Sequence, residues 1–381
     1  MQLKTIVFLR GNKSVAVYNG KARMSRGIME CCVDTNYFVY FCWMGRDEFI
    51  DIIDDGGGLV QAKSPVIISA SRSTDIPAFY ADWFFHRLEK GYSVWINPFN
   101  NVRSYISYSK TRLIVFWSKN PRPLLKYLDR LDETGIHSYL QFTLNDYEKE
   151  GLEKNVPPLQ ERIDTFKRLV DRLDSDRVIW RFDPMVLTDR ISKDDLLEKV
   201  ECIGNQLKGY TKKLVFSFAD ILEYKKVKAN LEKNHINYRP FEKDDMEYLA
   251  RGLMYLNKSW DFTIATCGEK IGLEQYGIVH NKCIDDELMI KCFSEDKQLM
   301  DFIGYHPENV QLELFGGKSN PSNKDKGQRL FCGCISSKDI GLYNTCPHKC
   351  EYCYANSSKM IAEANYNRHK QSPYFEAIIG M

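Results

Sequence analysis

Three cysteines near the end of the chain have the spacing of a metal-binding motif. Cys346, Cys350 and Cys353 form a C-x3-C-x2-C pattern, and the aromatic Tyr352 stands directly before the third cysteine. A closed zinc or iron–sulfur site takes four ligands, so three thiolates leave one metal position open for a substrate or a cofactor. The alternative is a zinc knuckle that is completed by His348 or by a distant residue.

Four further cysteines are placed near predicted strand ends. Cys267 ends an apolar strand, Cys283 lies in the segment that follows, and Cys332 and Cys334 precede another predicted strand. Four thiolates from one end of a barrel suit a second, fully ligated iron–sulfur cluster that binds substrate or carries an electron. The alternatives are a structural zinc ion in the same four cysteines and a set of unrelated buried thiols.

Polar and charged residues end several of the predicted strands. Arg181 and Asp183 end one strand and are two residues apart, so their side chains point to the same side. They either pair as a core salt bridge or bind the carboxylate and ammonium groups of an amino acid. The other strand-end candidates are Arg72, Asn97, Lys119, Gln141, Thr143 and Glu269.

The composition is that of a large globular protein without a global basic signal. The chain has 381 residues, of which 44% are hydrophobic and 27% charged, with a net charge of +2. Basic stretches at 208–213 and 225–233 keep nucleic-acid binding open. Twelve cysteines in a chain of this length favour metal binding in a reducing compartment over a disulfide scaffold. No apolar run reaches the roughly 18–20 residues that span a bilayer, so we expect a cytoplasmic protein with no membrane partner.

Apolar strands alternate with amphipathic helices from residue 66 onward. Seven strand–helix units are predicted between 66 and 269, one of them starting with a strand at 93–96, and residues 335–343 can supply an eighth strand. Such repeats form parallel sheets, and eight of them close a TIM-like barrel with its site at the C-terminal strand ends. The predicted organisation is a weakly structured extension (1–64), barrel units (65–275), an irregular cysteine-containing segment (276–334) and a final unit with the cysteine loop (335–381).

The triad resembles the cluster motif of the radical S-adenosylmethionine (radical SAM) superfamily. There, three cysteines hold three irons of a [4Fe–4S] cluster, and the fourth iron binds the amino and carboxylate groups of SAM. The resemblance implies that Cys346, Cys350 and Cys353 ligate such a cluster and that Tyr352 lies along the adenine. It implies SAM contacts from strand-end residues, for which Arg72, Lys119, Gln141, Arg181 and Asp183 are the candidates. It also implies a reducing electron donor similar to flavodoxin or ferredoxin.

The position of the motif departs from the superfamily. There the cluster loop follows the first barrel strand, whereas here it lies near the C-terminus, so we expect a circularly permuted α/β barrel. The strand at 66–71 would then take the second place, and it lacks the usual glycine-glycine-glutamate run at its end.

The region 66–356 resembles one bacterial family, which is catalogued as domain of unknown function 1848. The C-terminal cysteines of that family are described as similar to the radical SAM motif. The matching segments are 69–77, 97–99, 116–121, 180–184, 332–334 and 339–341. This resemblance supports the class of cofactor and leaves the reaction unnamed.

Two classes of function follow from these patterns. The first is a radical SAM enzyme, in which SAM is cleaved to a 5′-deoxyadenosyl radical that takes a hydrogen atom from an unknown small-molecule, peptide or nucleic-acid substrate. The second is a non-catalytic iron–sulfur or zinc protein that binds nucleic acid or a partner. Its enzymatic form is a nucleic-acid repair or modification enzyme that accepts a flipped nucleotide.

Overall fold

The computed structural model describes residues 48–306, 323–325 and 327–380, together with the backbone of three short strands before residue 48. The chain divides into two units, Met1–Phe49 and Ile50–Met381. In the first unit, a three-stranded antiparallel sheet is formed by Val7–Leu9 (β1), Ser14–Tyr18 (β2) and Lys21–Ala22 (β3). The remainder of the predicted extension before residue 48 lies outside the described residues.

The remaining secondary structure alternates between strands and helices. The strands are Glu48–Ile53 (β4), Leu59–Ser64 (β5), Ile67–Ala70 (β6), Tyr92–Ile96 (β7), Arg103–Ser107 (β8), Leu113–Ser118 (β9), His137–Thr143 (β10), Val178–Met185 (β11), Leu187–Thr188 (β12), Lys213–Phe218 (β13), Tyr238–Arg239 (β14), Thr263–Thr266 (β15), Ile278–His280 (β16) and Lys338–Asp339 (β17). The α-helices are Ile76–Phe79 (α1), Ala81–Glu89 (α2), Leu128–Glu133 (α3), Leu159–Leu173 (α4), Lys193–Leu207 (α5), Lys225–Lys233 (α6), Lys243–Trp260 (α7), Asp286–Phe293 (α8), Lys297–Ile303 (α9) and Lys359–Gln371 (α10). Two 3-10 helices span Arg122–Tyr127 and Glu274–Tyr276. Among the described residues, none of the helices has the length and apolar character to cross a membrane.

Eight strands form one parallel sheet in the order β16-β15-β13-β11-β10-β9-β6-β17. From β6 to β16, sheet order follows chain order. The last strand, β17, pairs in parallel with the first, β6, so that Lys338 lies opposite Ile68 and Asp339 opposite Ser69. The predicted strand within 335–343 is therefore the eighth strand of the sheet, and the predicted α/β class with a parallel sheet is confirmed.

The predicted closure into a barrel is not observed. Within the described part of the chain, β16 pairs with β15 and β17 pairs with β6, and neither edge strand pairs with the other. The sheet therefore has two free edges, which belong to its last two strands in the sequence.

One predicted barrel strand lies in a different sheet. β7, predicted at 93–96, pairs antiparallel with β8 in a second sheet of order β4-β5-β8-β7. Residues 97–102 alone join these two strands, which suits a hairpin, whereas a parallel crossover needs a dozen or more residues. The place in the parallel sheet is taken by β16, in the segment predicted to be irregular. That segment also contains α8 and α9, and its residues 307–322 lie outside the described ones.

Both faces of the parallel sheet are covered. Along β9, Ile114 and Phe116 enter the core beneath the helices, while Leu113 and Val115 enter a second core on the opposite face. This alternation follows from the two-residue period of a strand. The second core contains side chains of α8 and α9 together with Cys283 and Cys334, so residues beyond β16 cover this second face of the sheet.

Gly341 follows β17 and packs against Ser71 and Ser73, which follow β6. A Cβ atom at this position would lie 1.8 Å from Ser71 Oγ and 2.5 Å from Ser73 Oγ. We predict that Gly341→Ala lowers the free energy of unfolding by about 1–3 kcal/mol, because overpacking forces β17 away from β6. Urea denaturation measures the change. In the control Gly56→Ala, the nearest atom to the new Cβ is 3.3 Å away, and the change should stay below about 0.5 kcal/mol. Equal effects in the two variants would contradict the prediction.

Candidate functional site

The three motif cysteines lie on the loop between β17 and α10. Cys350 is buried, and Cys346 and Cys353 are half-buried. Burial raises the pKa of all three thiols, that of Cys346 to about 12, and the neighbouring thiols raise the pKa of Cys350 further. The three sulfur atoms are thus within electrostatic range of one another, and a metal that binds them must displace their protons.

A buried carboxylate holds this loop against the start of α1. Asp75 is 6% exposed and accepts hydrogen bonds from His348 Nε2 (2.7 Å), Ser118 Oγ (2.6 Å) and the Lys119 N–H (2.7 Å). Burial would raise the pKa of Asp75, but His348 and the other donors hold it below its usual value. The other ring nitrogen of His348, Nδ1, lies 3.2 Å from the Asn155 carbonyl oxygen. Both nitrogens of His348 are therefore engaged, which leaves neither free to complete a zinc site.

A second buried network lies beneath Cys350. The Lys119 ammonium is 2.7 Å from Glu153 Oε1 and 3.0 Å from the Tyr352 hydroxyl, which itself donates to Glu153. Asn145 Nδ2 also donates to the Tyr352 hydroxyl at 3.0 Å. Tyr352 is only 7% exposed. Burial raises the pKa of Cys350 well above its usual value, and the positive charge of Lys119, which follows β9, offsets part of that rise.

Arg72 connects the cysteine loop to the end of β6. Its N–H donates to Asp339 Oδ2 at 2.8 Å, and its carbonyl oxygen accepts from the Tyr354 hydroxyl at 2.6 Å. Its guanidinium lies 5.3 Å from the centre of the Trp117 ring. Among the described residues, Arg72 Nη2 has no hydrogen-bond partner. Within the described part of the chain, one guanidinium donor therefore remains without a partner, on a side chain whose charge acts on Asp339, Cys334 and Cys283.

Arg181 and Asp183 form the salt bridge that was one of the two alternatives from the sequence. Arg181 is 2% exposed, and its Nη2 donates to Asp183 Oδ2. Asp183 also accepts from the Ser217 hydroxyl. Gln141 joins this group, because its Oε1 accepts from Arg181 Nη1 at 3.2 Å and its Nε2 donates to the Cys283 carbonyl oxygen at 3.0 Å. The candidates Gln141, Arg181 and Asp183 thus contact one another at adjacent strand ends.

The second set of four cysteines is also brought together. Cys267 Sγ lies 3.5 Å from Cys283 Sγ, and Cys334 Sγ accepts from the Cys283 N–H at 3.2 Å. The contact with Cys334 lowers the pKa of Cys332 to about 7. Among the described residues, no three or more His, Cys, Asp and Glu side chains form a ready-made site for one metal ion.

Other candidates occupy more local positions. Glu269 is 5% exposed and accepts from the Phe218 N–H at 2.9 Å, and burial raises its pKa to about 7. Asn97 accepts from the Phe99 N–H and closes its own turn. Thr143 is half-buried at the end of β10. Cys202 is exposed, on α5.

A cleft of about 780 Å³ opens beside the cysteine loop. Its walls include Tyr343 and Tyr354 from the loop and Lys225 and Lys226 from the start of α6. Phe99, at its rim, is 90% exposed. The cleft combines aromatic and basic side chains next to Cys353.

The two carboxylates that hold the loop, Asp75 and Glu153, were not among the residues predicted from the sequence. Asp75 directly precedes α1 and also caps that helix, because its Oδ1 accepts from the Ala78 N–H. The signal for Glu153 was weak, because it is one of three glutamates in the loop after β10 and its partner Lys119 is 34 residues earlier.

A family model described as "Domain of unknown function (DUF1848)" matches residues 67–355, which include the eight parallel strands and both sets of cysteines. No curated protein and no solved structure matches the chain. Because the family model covers more than half of the chain, this protein belongs to the DUF1848 family.

Proposed function

We propose that this protein is a radical SAM enzyme whose open parallel sheet has a circularly permuted strand order. The observation that supports the proposal best is the pairing of β17 with β6, which puts the strand before the cysteine loop ahead of β6 in the sheet. In the radical SAM superfamily the cluster loop follows the first strand. In the proposed permutation the last strand of this chain takes that place, so the triad would follow the equivalent strand despite its position in the sequence.

The residues around the triad fit a cluster with one open iron. Cys346, Cys350 and Cys353 would hold three irons, and the nitrogens of His348 are already engaged by Asp75 and the Asn155 carbonyl oxygen. The bound cluster and SAM would supply reductive cleavage of SAM to a 5′-deoxyadenosyl radical that abstracts a hydrogen atom from the substrate. The electron would come from a flavodoxin- or ferredoxin-like donor.

The protein groups have binding and positioning roles in this proposal. Arg72 Nη2, which has no hydrogen-bond partner among the described residues, suits the carboxylate of SAM. Lys119 places a positive charge near the anionic thiolates. Its ion pair with the fully buried Glu153 carboxylate and the hydroxyl of Tyr352 fixes the base of the loop and excludes water from it.

The proposal is tested by formation of 5′-deoxyadenosine. The full chain is purified without oxygen, reconstituted with iron and sulfide, and incubated with SAM and a strong reductant. We expect 5′-deoxyadenosine above the level of reactions that lack SAM or reductant. If protein whose cluster is verified by electron paramagnetic resonance gives no 5′-deoxyadenosine, the proposal is wrong.

A second candidate function, nucleic-acid binding or modification, is favoured by the cleft beside Cys353. Basic groups bind the phosphate backbone and aromatic rings stack on bases of single strands. Lys225, Lys226 and the exposed Phe99 offer both kinds of contact. This candidate is compatible with radical chemistry if the nucleic acid is the substrate.

We predict that replacing both Lys225 and Lys226 with alanine weakens binding of a fluorescent single-stranded oligonucleotide by about tenfold. The slope of the logarithm of the binding constant against the logarithm of the salt concentration should also become shallower, by the equivalent of about one to two phosphate contacts. The measurement is fluorescence anisotropy across a salt series. Lys233→Ala, at the far end of α6 and exposed, is the matched control and should bind like the wild type. Salt-independent or undetectable binding by the wild type would exclude this candidate.

A further inference from the structure

The segments next to the two edge strands of the parallel sheet both carry cysteines. Cys283 follows the edge strand β16, and Cys332 and Cys334 precede the other edge strand, β17. The two segments touch directly, because the Ile335 N–H donates to the Ile284 carbonyl oxygen at 3.1 Å. These two segments therefore bridge the gap between the edge strands β16 and β17, which we call the seam of the sheet.

The four sulfur atoms lie in sequence across this seam. Cys267 directly follows β15, and its Sγ lies 3.5 Å from Cys283 Sγ. Cys334 Sγ accepts from the backbone N–H groups of Cys283 at 3.2 Å and Ile284 at 3.4 Å. The Cys332 side chain contacts that of Cys334. The contacts thus run from Cys267 through Cys283 and Cys334 to Cys332.

Hydrogen-bond donors converge on two of these sulfurs. Cys283 Sγ accepts from Arg181 Nη1 at 3.0 Å and from Asn281 Nδ2 at 3.0 Å, while Cys334 Sγ accepts the two backbone N–H groups. A neutral thiol is a weak acceptor, so four donors on two buried sulfurs suit negatively charged thiolates. Thiolates this close to one another repel, and a bound cation would offset that repulsion.

Positive charge also surrounds the group. The guanidinium groups of Arg181 and Arg72 lie 5.2 and 5.3 Å from the centre of the Trp117 ring, and both act electrostatically on Cys283. A divalent metal with four thiolates, or a [4Fe–4S] cluster with four cysteines, carries net negative charge that such cations balance. Cys283 is 3% exposed and Cys334 2% exposed, so the charge would lie away from water.

We propose that Cys267, Cys283, Cys332 and Cys334 hold a four-thiolate metal centre that fastens the two free edges of the parallel sheet together. Four protein ligands fill a tetrahedral zinc site or a [4Fe–4S] cluster, so this centre has no open position for SAM or substrate. Its role is to hold the final unit, with its cysteine loop, against β16. This centre does not depend on the chemistry proposed for the triad.

The test uses the full chain with all three triad cysteines replaced by serine, so that metal at the first site does not contribute. The protein is purified without oxygen or chelator, and zinc and iron are quantified by mass spectrometry without reconstitution. We expect about one zinc ion or about four iron ions per chain. Either metal supports the proposal. An iron–sulfur cluster absorbs visible light and a zinc site does not, so the absorption spectrum distinguishes the two metals.

Two comparisons make the result specific. Adding Cys283→Ser or, as a half-buried second choice, Cys267→Ser should reduce the bound metal at least about tenfold. Adding Cys202→Ser, an exposed thiol on α5, should leave it unchanged. Removal of the metal by a chelator should speed hydrogen exchange at the Ile335 amide at least about tenfold, since that amide crosses the seam. Circular dichroism verifies that each variant is folded.

The proposal is overturned if the folded triad variant holds less than a tenth of the expected metal. It is also overturned if Cys267→Ser and Cys283→Ser retain the metal as well as Cys202→Ser does. A failure of 5′-deoxyadenosine formation at the triad leaves these measurements unaffected, so the two proposals fail separately.

Discussion

Replacing Cys350 with serine should reduce 5′-deoxyadenosine formation at least about 100-fold and remove the iron of the triad. Loss of a residue that hydrogen-bonds to a metal ligand lowers metal affinity or activity about 10–100-fold, and loss of the ligand itself should have a larger effect. Cys350 is the central cysteine of the motif and its only buried one. The measurements are product quantification and iron content of the reconstituted protein, compared with the wild type at equal protein concentration.

The matched control for this substitution is Cys202→Ser. Cys202 is exposed on α5, far from the triad in the sequence, and no hydrogen bond from the cysteine loop reaches it among the described contacts. It should keep wild-type product and iron. If Cys350→Ser forms as much 5′-deoxyadenosine as Cys202→Ser, the triad does not carry the reaction.

Replacing Asp75 with asparagine should lower the free energy of unfolding by about 3–5 kcal/mol and weaken iron binding at the triad by about 10–100-fold. An amide group offers one acceptor oxygen, whereas both carboxylate oxygens of Asp75 accept hydrogen bonds. The Lys119 N–H and His348 share Oδ2, so an amide nitrogen there would face two donors. Urea denaturation and iron titration measure the two effects.

Asp245→Asn separates the loss of stability from the loss of iron. Asp245 is also about as buried, at 5% exposed, and it also pairs with cations, Arg239 and Lys193, in the first turn of α7. This control should be destabilised but should bind iron like the wild type. If Asp75→Asn keeps wild-type stability and iron affinity, the buried tie between Asp75 and His348 has no role in shaping the loop.

Local patterns were sufficient to predict most of the parallel sheet. The apolar runs of β6, β9, β10, β11, β13 and β15 are short and bounded by polar residues, and all six lie in the sheet. β7 has the same local pattern, but the short link to β8 turns it back into another sheet. β16 is three residues long, which is too short to give a periodic signal.

Some of the candidate functional residues could likewise be predicted from local patterns, and others could not. The triad was evident from spacing alone, because its members are neighbours in the chain. The pairing of Asp75 with His348 joins residues 273 positions apart, and the contact of Lys119 with Tyr352 spans 233. No local pattern encodes such partners.

The spacing of the cysteine motif and the alternation of strands and helices could be predicted without a structure, since each is a property of neighbouring residues. Only the folded chain reveals that β17 lies beside β6, that Asp75 and Glu153 contact the cysteine loop, and that Cys267, Cys283, Cys332 and Cys334 lie close together although they are far apart in the sequence. These outcomes depend on burial and on hydrogen bonds between segments far apart in the chain, which form only when the sheet brings its strand ends together.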